Sequence, residues 1–292
     1  MPEVSKLAVR ANGIRFECLA AGEPDAPLAL CLHGFPDSAW TWRHLLPDLA
    51  EAGFRAVAPW MRGYAPTGVA PDARYQAGAL AADAVALHQA LGGDSRAVLI
   101  GHDWGAFAAY GAGAFRPERW KKVVGAALPP VPATAAGFFS YDQLRRSWYI
   151  FYFQSPLADA MVAMNDLEFI DRLWADWSPG YEAKEDAAHA KDALRDPVNL
   201  EAALGYYRAL FDPDRQAPEL AAEQAAASAV PPQPTLYLHG SDDGCMGAEV
   251  GGSAGAWLSP GSSTALIDGT GHFLHLERPA EVNARIIDFL TK

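Results

Sequence analysis

Short unbroken apolar runs alternate with longer stretches of helical spacing through the first part of the chain. Residues 14–20, 28–32 and 55–58 read as strands, with 97–100 and 122–127 following. Between them, 39–52 and 76–91 carry helical spacing, the second with Asp83 and His88 on its expected solvent side. Strands and helices in alternation predict a mostly parallel sheet covered on both faces.

That rhythm stops after Leu128, where Pro129, Pro130 and Pro132 mark an exit from the sheet. Residues 133–230 show no strand alternation and are rich in aromatics and helical patterns. The stretch closes with alanine-rich 219–229 and then Pro231-Pro232-Gln233-Pro234. Strand signals resume at 235–239 and 264–267, and 279–290 reads as a last helix. The predicted organisation is therefore a core over 1–132, a helical cap over 133–230, and the rest of the core over 231–292.

With 292 residues, half of them hydrophobic, the chain suits one large α/β unit with an insertion. A net charge of -12 argues against nucleic acid as a partner, because phosphate contacts need clustered Lys and Arg. Cys18, Cys31 and Cys245 are too sparse for a disulfide framework or a Cys-x-x-Cys metal motif. Neither a secretory leader nor an apolar run of the roughly 20 residues a membrane helix needs is visible, so a cytoplasmic protein is expected.

The chemistry concentrates where strands end. Val98 to Ala106 reads as an apolar strand, a turn with Gly101 and Gly105 flanking Asp103, and a small-residue helix. This is the pattern of a nucleophile elbow with Asp103 at its apex. A carboxylate is ionised at neutral pH and needs no base to activate it. It suits displacement at a saturated carbon better than amide hydrolysis, and its product is an ester on the enzyme.

His33-Gly34-Phe35-Pro36-Asp37 follows the second of these strands, and the backbone N–H of Phe35 is a candidate oxyanion donor. The N–H of Trp104, next after the nucleophile, is the other. His33 reads as a brace for its own loop, and a cis Phe35–Pro36 bond fits so tight a turn. After 235–239 come Asp242 and Asp243, of which the Gly-x-x-Asp spacing favours Asp243 as the acid that orients a histidine. Gly271-His272 follows the last strand and supplies that histidine as base, with His275 as a packing or surface residue. The order Asp103, Asp243, His272 is nucleophile, acid, base.

Together these motifs resemble the epoxide hydrolase branch of the α/β-hydrolase fold family. The resemblance extends from His33–Asp37 through Arg62-Gly63-Tyr64 to the elbow, Gly240–Asp243 and Gly271-His272. It implies an α/β-hydrolase fold with a mostly parallel central sheet, flanking helices and an inserted helical cap. It also implies two cap tyrosines that donate hydrogen bonds to the epoxide oxygen. Tyr149, before Phe153-Gln154-Ser155-Pro156, matches the first, and Tyr207, in Tyr206-Tyr207-Arg208, matches the second; Tyr152 and Tyr206 read as core. Ser155 departs from the Glu often found in that branch.

The implied reaction is attack of Asp103 on an epoxide, then hydrolysis of the ester by water that His272 activates, giving a vicinal diol. The implied substrate is small and apolar, bound among Phe35, Trp104, Tyr149 and Tyr207. Neither metal nor organic cofactor is called for, and a homodimer is compatible with the reading. Haloalkane and haloacid dehalogenases use the same aspartate, and Trp104 suits a halide. They are disfavoured by Phe35, where asparagine is commonly the second halide donor, and by Trp104, where a haloacid enzyme would place arginine. A non-catalytic ligand-binding module on this fold is disfavoured by the complete triad.

Overall fold

The computed structural model describes residues 2–292. Eight strands form one sheet: Ser5–Ala11 (β1), Ile14–Ala21 (β2), Leu28–Leu32 (β3), Arg55–Pro59 (β4), Val98–His102 (β5), Lys122–Ala126 (β6), Thr235–Gly240 (β7) and Ser263–Ile267 (β8). Their order is β1-β2-β4-β3-β5-β6-β7-β8, with β1 and β2 antiparallel and every pairing from β4 to β8 parallel. β3, β5 and β7 are buried along their whole length, which is why they read as continuous apolar runs. β1 escaped the sequence reading. It is an edge strand with Lys6 and Arg10, and its weak apolar alternation reflects one exposed side.

Two helical expectations change. Residues 39–52 form a 3-10 turn, Ala39–Trp42, and a separate helix, Leu45–Glu51. Pro47 has no N–H to donate, so it sits in the first turn of the second piece. Residues 76–91 do form a helix, Ala77–Ala90, but Asp83 and His88 are buried and do not face solvent. The Arg62 guanidinium donates to both Asp83 oxygens at 2.6 Å, and His88 packs edge-on against Trp120 with ring centres 4.7 Å apart. Periodicity could not show this, because the partners lie 21 and 32 residues away.

A region of helices lies between β6 and β7, inserted as a cap. The prolines after β6 begin a helix, Val131–Phe138, because proline is tolerated where the first N–H groups have no partner. The longest cap helix, Ala158–Trp177, is kinked at Met164–Leu167 and reaches the sheet at its end. There the Trp177 carbonyl accepts from the amides of Gly244 (3.0 Å) and His272 (2.9 Å), and Trp174 Nε1 donates to the Pro36 carbonyl at 2.9 Å. One helix terminus thus ties down three loops that leave the sheet. Alanine-rich Ala221–Ala227 is helical and packs on Ala77–Ala90 and Trp104–Phe115, returning the chain to the core.

Candidate active site

All four loops singled out in the sequence leave the carboxyl ends of parallel strands: β3, β5, β7 and β8. This is where open α/β sheets hold their ligands. At the end of β5 the chain turns sharply, and Asp103 adopts φ 53° and ψ -123°. A non-glycine residue in that region costs on the order of 1–3 kcal/mol. The turn is possible because the helix Trp104–Phe115 nearly touches both β3 and β5: a Cβ on Gly105 would collide with the Leu32 and His33 carbonyls at the end of β3, and one on Gly101 in β5 with the Gly105 carbonyl.

The strained apex aims the Asp103 carboxylate at two groups. Its Oδ1 accepts from the Phe35 amide at 2.8 Å, and its Oδ2 lies 3.7 Å from His272 Nε2. Among the described residues, Phe35 is the one backbone donor to this carboxylate; the Trp104 amide, expected as a second, forms no bond to it in this state. Phe35–Pro36 is cis, as anticipated. His33 braces the loop, bonding to the Gly34 carbonyl through Nδ1 (2.8 Å) and accepting from the Met61 amide at Nε2 (2.9 Å). Burial lowers its pKa to about 4, so it stays neutral.

His272 Nδ1 donates to Asp243 Oδ2 at 3.0 Å, while Asp243 Oδ1 accepts from the amides of Cys245 (2.7 Å) and Met246 (2.9 Å). Asp242 is exposed and its amide caps the Thr270 carbonyl, so the two aspartates separate cleanly. Burial opposes charge on His272, yet the Asp243 carboxylate, its own hydrogen bond and Asp103 outweigh it. The imidazole is held well above its ordinary pKa.

The comparisons with known proteins agree with this geometry. Residues 27–279 match the family model described as the alpha/beta hydrolase fold. The chain is 31% identical to Epoxide hydrolase A of Mycobacterium tuberculosis, over 97% of this chain and 96% of that protein. It is also 31% identical, over the same shares, to the AB hydrolase superfamily protein YfhM of Bacillus subtilis. The crystal structure of Epoxide Hydrolase A from Mycobacterium thermoresistibile superposes with a TM-score of 0.81 at 30% identity, covering 99% of this chain and 98% of that one. The chain belongs to the α/β-hydrolase fold family, in its epoxide-hydrolase-like branch.

In this family member a 310 Å³ cavity opens above Asp103, walled by Trp104, Phe107, Leu128, Phe138 and Ile150. It fits a small apolar organic substrate. Tyr149 and Tyr207 both line it and are buried. Burial pushes both phenols well above their ordinary pKa, with the Asp103 charge adding to the effect, so each keeps its proton to donate. Tyr149 Oη meets Cys245 Sγ at 3.4 Å, whereas Tyr207 Oη has no hydrogen-bond partner among the described residues. Tyr206, by contrast, is tied into the core by donating to the Arg62 carbonyl at 2.7 Å, and half-buried Tyr152 stacks on Phe169 where both pack against the core.

Two features had no mark in the sequence. Cys245 reaches the site because the turn after Asp243 folds back on it; its position two residues beyond the acid was the only available signal. Behind His272 lies a buried cluster in which His102 Nε2 donates to the His272 carbonyl at 2.9 Å and its Nδ1 faces Asp37 Oδ2 at 3.9 Å. His275 joins it, bonded to Thr41 at 2.5 Å and stacked on Trp42, which settles it as a packing residue. Burial lowers the His102 pKa and raises that of Asp37, so both favour their neutral forms. Among the described residues, no helix is long and apolar enough to cross a membrane.

Proposed function

We propose that this protein opens epoxides to vicinal diols through an ester on Asp103. The observation that carries the reading is the pair of protonated tyrosines, Tyr149 and Tyr207, lining the same apolar cavity as the aspartate. Asp103 Oδ2 attacks an epoxide carbon while the two phenols donate to the departing oxygen, so no bare alkoxide forms. The carbon–oxygen bond breaks, that oxygen takes a proton from a tyrosine, and Asp103 becomes a neutral ester.

The ester alters its neighbour. Asp103 helps hold the His272 proton, and losing its charge lowers the imidazole's proton affinity. The Nε2 proton passes to the tyrosinate left by ring opening. The neutral His272, kept in orientation by Asp243, then takes a proton from water, the hydroxide attacks the Asp103 carbonyl carbon, and the ester bond to the substrate oxygen breaks as that oxygen takes the hydroxide's proton. The Phe35 amide, already on Oδ1, stabilises the oxyanion, joined by the Trp104 amide as the carbonyl becomes tetrahedral. The diol leaves and Asp103 is regenerated. These roles assign Asp103, Asp243, His272, Tyr149 and Tyr207 to catalysis, and Phe35 and Trp104 to both oxyanion and substrate binding.

The relatives named for epoxide hydrolysis support this reading, as does the cavity wall, which carries no Arg or Lys among the described residues to bind a haloacid carboxylate. We assign the cap to 133–230 between core segments 1–132 and 231–292, and place the protein in the cytoplasm. The acidic balance supports no nucleic-acid partner, and a homodimer is open to a sedimentation test. A single turnover in oxygen-18 water tests the mechanism: label in the Asp103 peptide supports the ester, and unlabelled Asp103 with labelled diol refutes it.

A further inference from the structure

Cys245 has no part in the reaction above, yet it is buried in the site and lines the cavity together with Asp103. Its Sγ, an Asp103 carboxylate oxygen and a His272 ring nitrogen all lie within 4.8 Å of one another. His272 Nε2 is fully buried and has no hydrogen-bond partner among the described residues. One thiol, one imidazole and one carboxylate make a donor set of borderline softness, suited to Zn2+ or Co2+ and not to Mg2+. His272 is also oriented as a metal ligand would be, with Nδ1 bonded to a carboxylate at 3.0 Å and Nε2 directed at the other donors.

We propose that Asp103, Cys245 and His272 bind one divalent ion of this class, and that the ion reversibly shuts the enzyme off. Tetrahedral Zn2+ sets such donors roughly 3.3–3.7 Å apart. Asp103 Oδ2 and His272 Nε2 are already 3.7 Å apart, and side-chain shifts of about 1 Å bring in the sulfur. Binding releases the thiol proton, and the Nε2 proton where the imidazole is charged, to solvent. A thiolate and a carboxylate offset the two charges of the ion. The cavity provides the entry path and room for a fourth, exchangeable ligand. Nucleophile and base are both occupied while the ion is bound.

The test titrates the whole, metal-free protein with Co2+ and then Zn2+. One equivalent of Co2+ should bind and give a thiolate-to-metal charge-transfer band that Zn2+ removes and Cys245→Ser lacks. Zn2+ affinity should fall at least about tenfold in Cys245→Ser and in His272→Gln, each checked for native circular dichroism. Cys245→Ala serves if the serine variant misfolds. Excess Mg2+ should leave the band unchanged. Absence of binding, or undiminished binding without the thiol, overturns the proposal; the Asp37, His102 and His275 cluster, which has no sulfur, would explain the latter. The inhibition arm rests on the proposed activity: diol formation should fall with bound metal and return with a chelator, and full turnover with Co2+ bound refutes the switch. A thiolate band in a protein that opens no epoxide would sink the activity and leave the site standing.

Discussion

Tyr207→Phe should make this protein slower and more stable at once. The Tyr207 hydroxyl is buried, 2% exposed as a residue, with no hydrogen-bond partner among the described residues. A buried unsatisfied polar group costs about 1–3 kcal/mol, so deleting the oxygen should return about 1 kcal/mol of stability. For 292 residues, unfolding entropy of about 2.1 cal/mol/K per residue converts this to a rise of roughly 1.6 °C in Tm. Chemistry should move the other way. A donor aimed at charge developing in the transition state contributes about 10²–10³ in rate when the other parts are in place. Tyr149→Phe is the control: that hydroxyl already meets Cys245 Sγ, so its loss should slow ring opening without the gain in Tm. Rapid-quench single turnovers on an aryl epoxide, with the ester on Asp103 followed by mass spectrometry, read the first step directly, and calorimetry reads Tm. Wild-type ester formation in Tyr207→Phe, or a fall in its Tm, would refute the assignment of an unpartnered catalytic donor.

Three further variants test other contacts of the structure. His272→Gln should accumulate the Asp103 ester, and it should also change how stability depends on pH. Because the folded pKa of His272 is raised, its contribution is complete below about 6.5 and is lost as pH rises through the folded value. The urea midpoint difference between wild type and variant should therefore shrink with rising pH, and growth in that direction would contradict the shift. Arg62→Met should destabilise by about 3–5 kcal/mol in urea titrations, since it strands the buried Asp83 carboxylate; a change under 1 kcal/mol would show that pair to be dispensable. Gly34→Ala drives a Cβ into the Asp103 carboxylate, so kcat should fall about 100-fold, and retention of wild-type kcat would disprove that packing.

How much was legible in the sequence depends on how far apart the partners lie. The elbow could be read because its requirements are local: Gly101 and Gly105 are each two residues from Asp103, and both are needed for the strand and helix to approach. The choice of Asp243 over Asp242 rested on a one-residue spacing, and one faces His272 while the other faces solvent. Asp83 and His88 were misplaced because helical periodicity identifies a face without saying what packs there; Arg62 and Trp120 turned a polar face into a buried one. β1 was missed because an edge strand buries only one side.

The sequence by itself determined the nucleophile, the order of the triad and a sheet with a helical insertion, because each is written in residues adjacent along the chain. Tertiary structure alone decided what gathers around Asp103. The kinked helix ending at Trp177 fixes the loops of the acid and the base, the cap brings Tyr149 and Tyr207 over the nucleophile, and the turn after β7 delivers Cys245. Such contacts join segments distant along the chain, as the His102–His272 bond does across 170 residues, and close packing creates them where no local propensity records them.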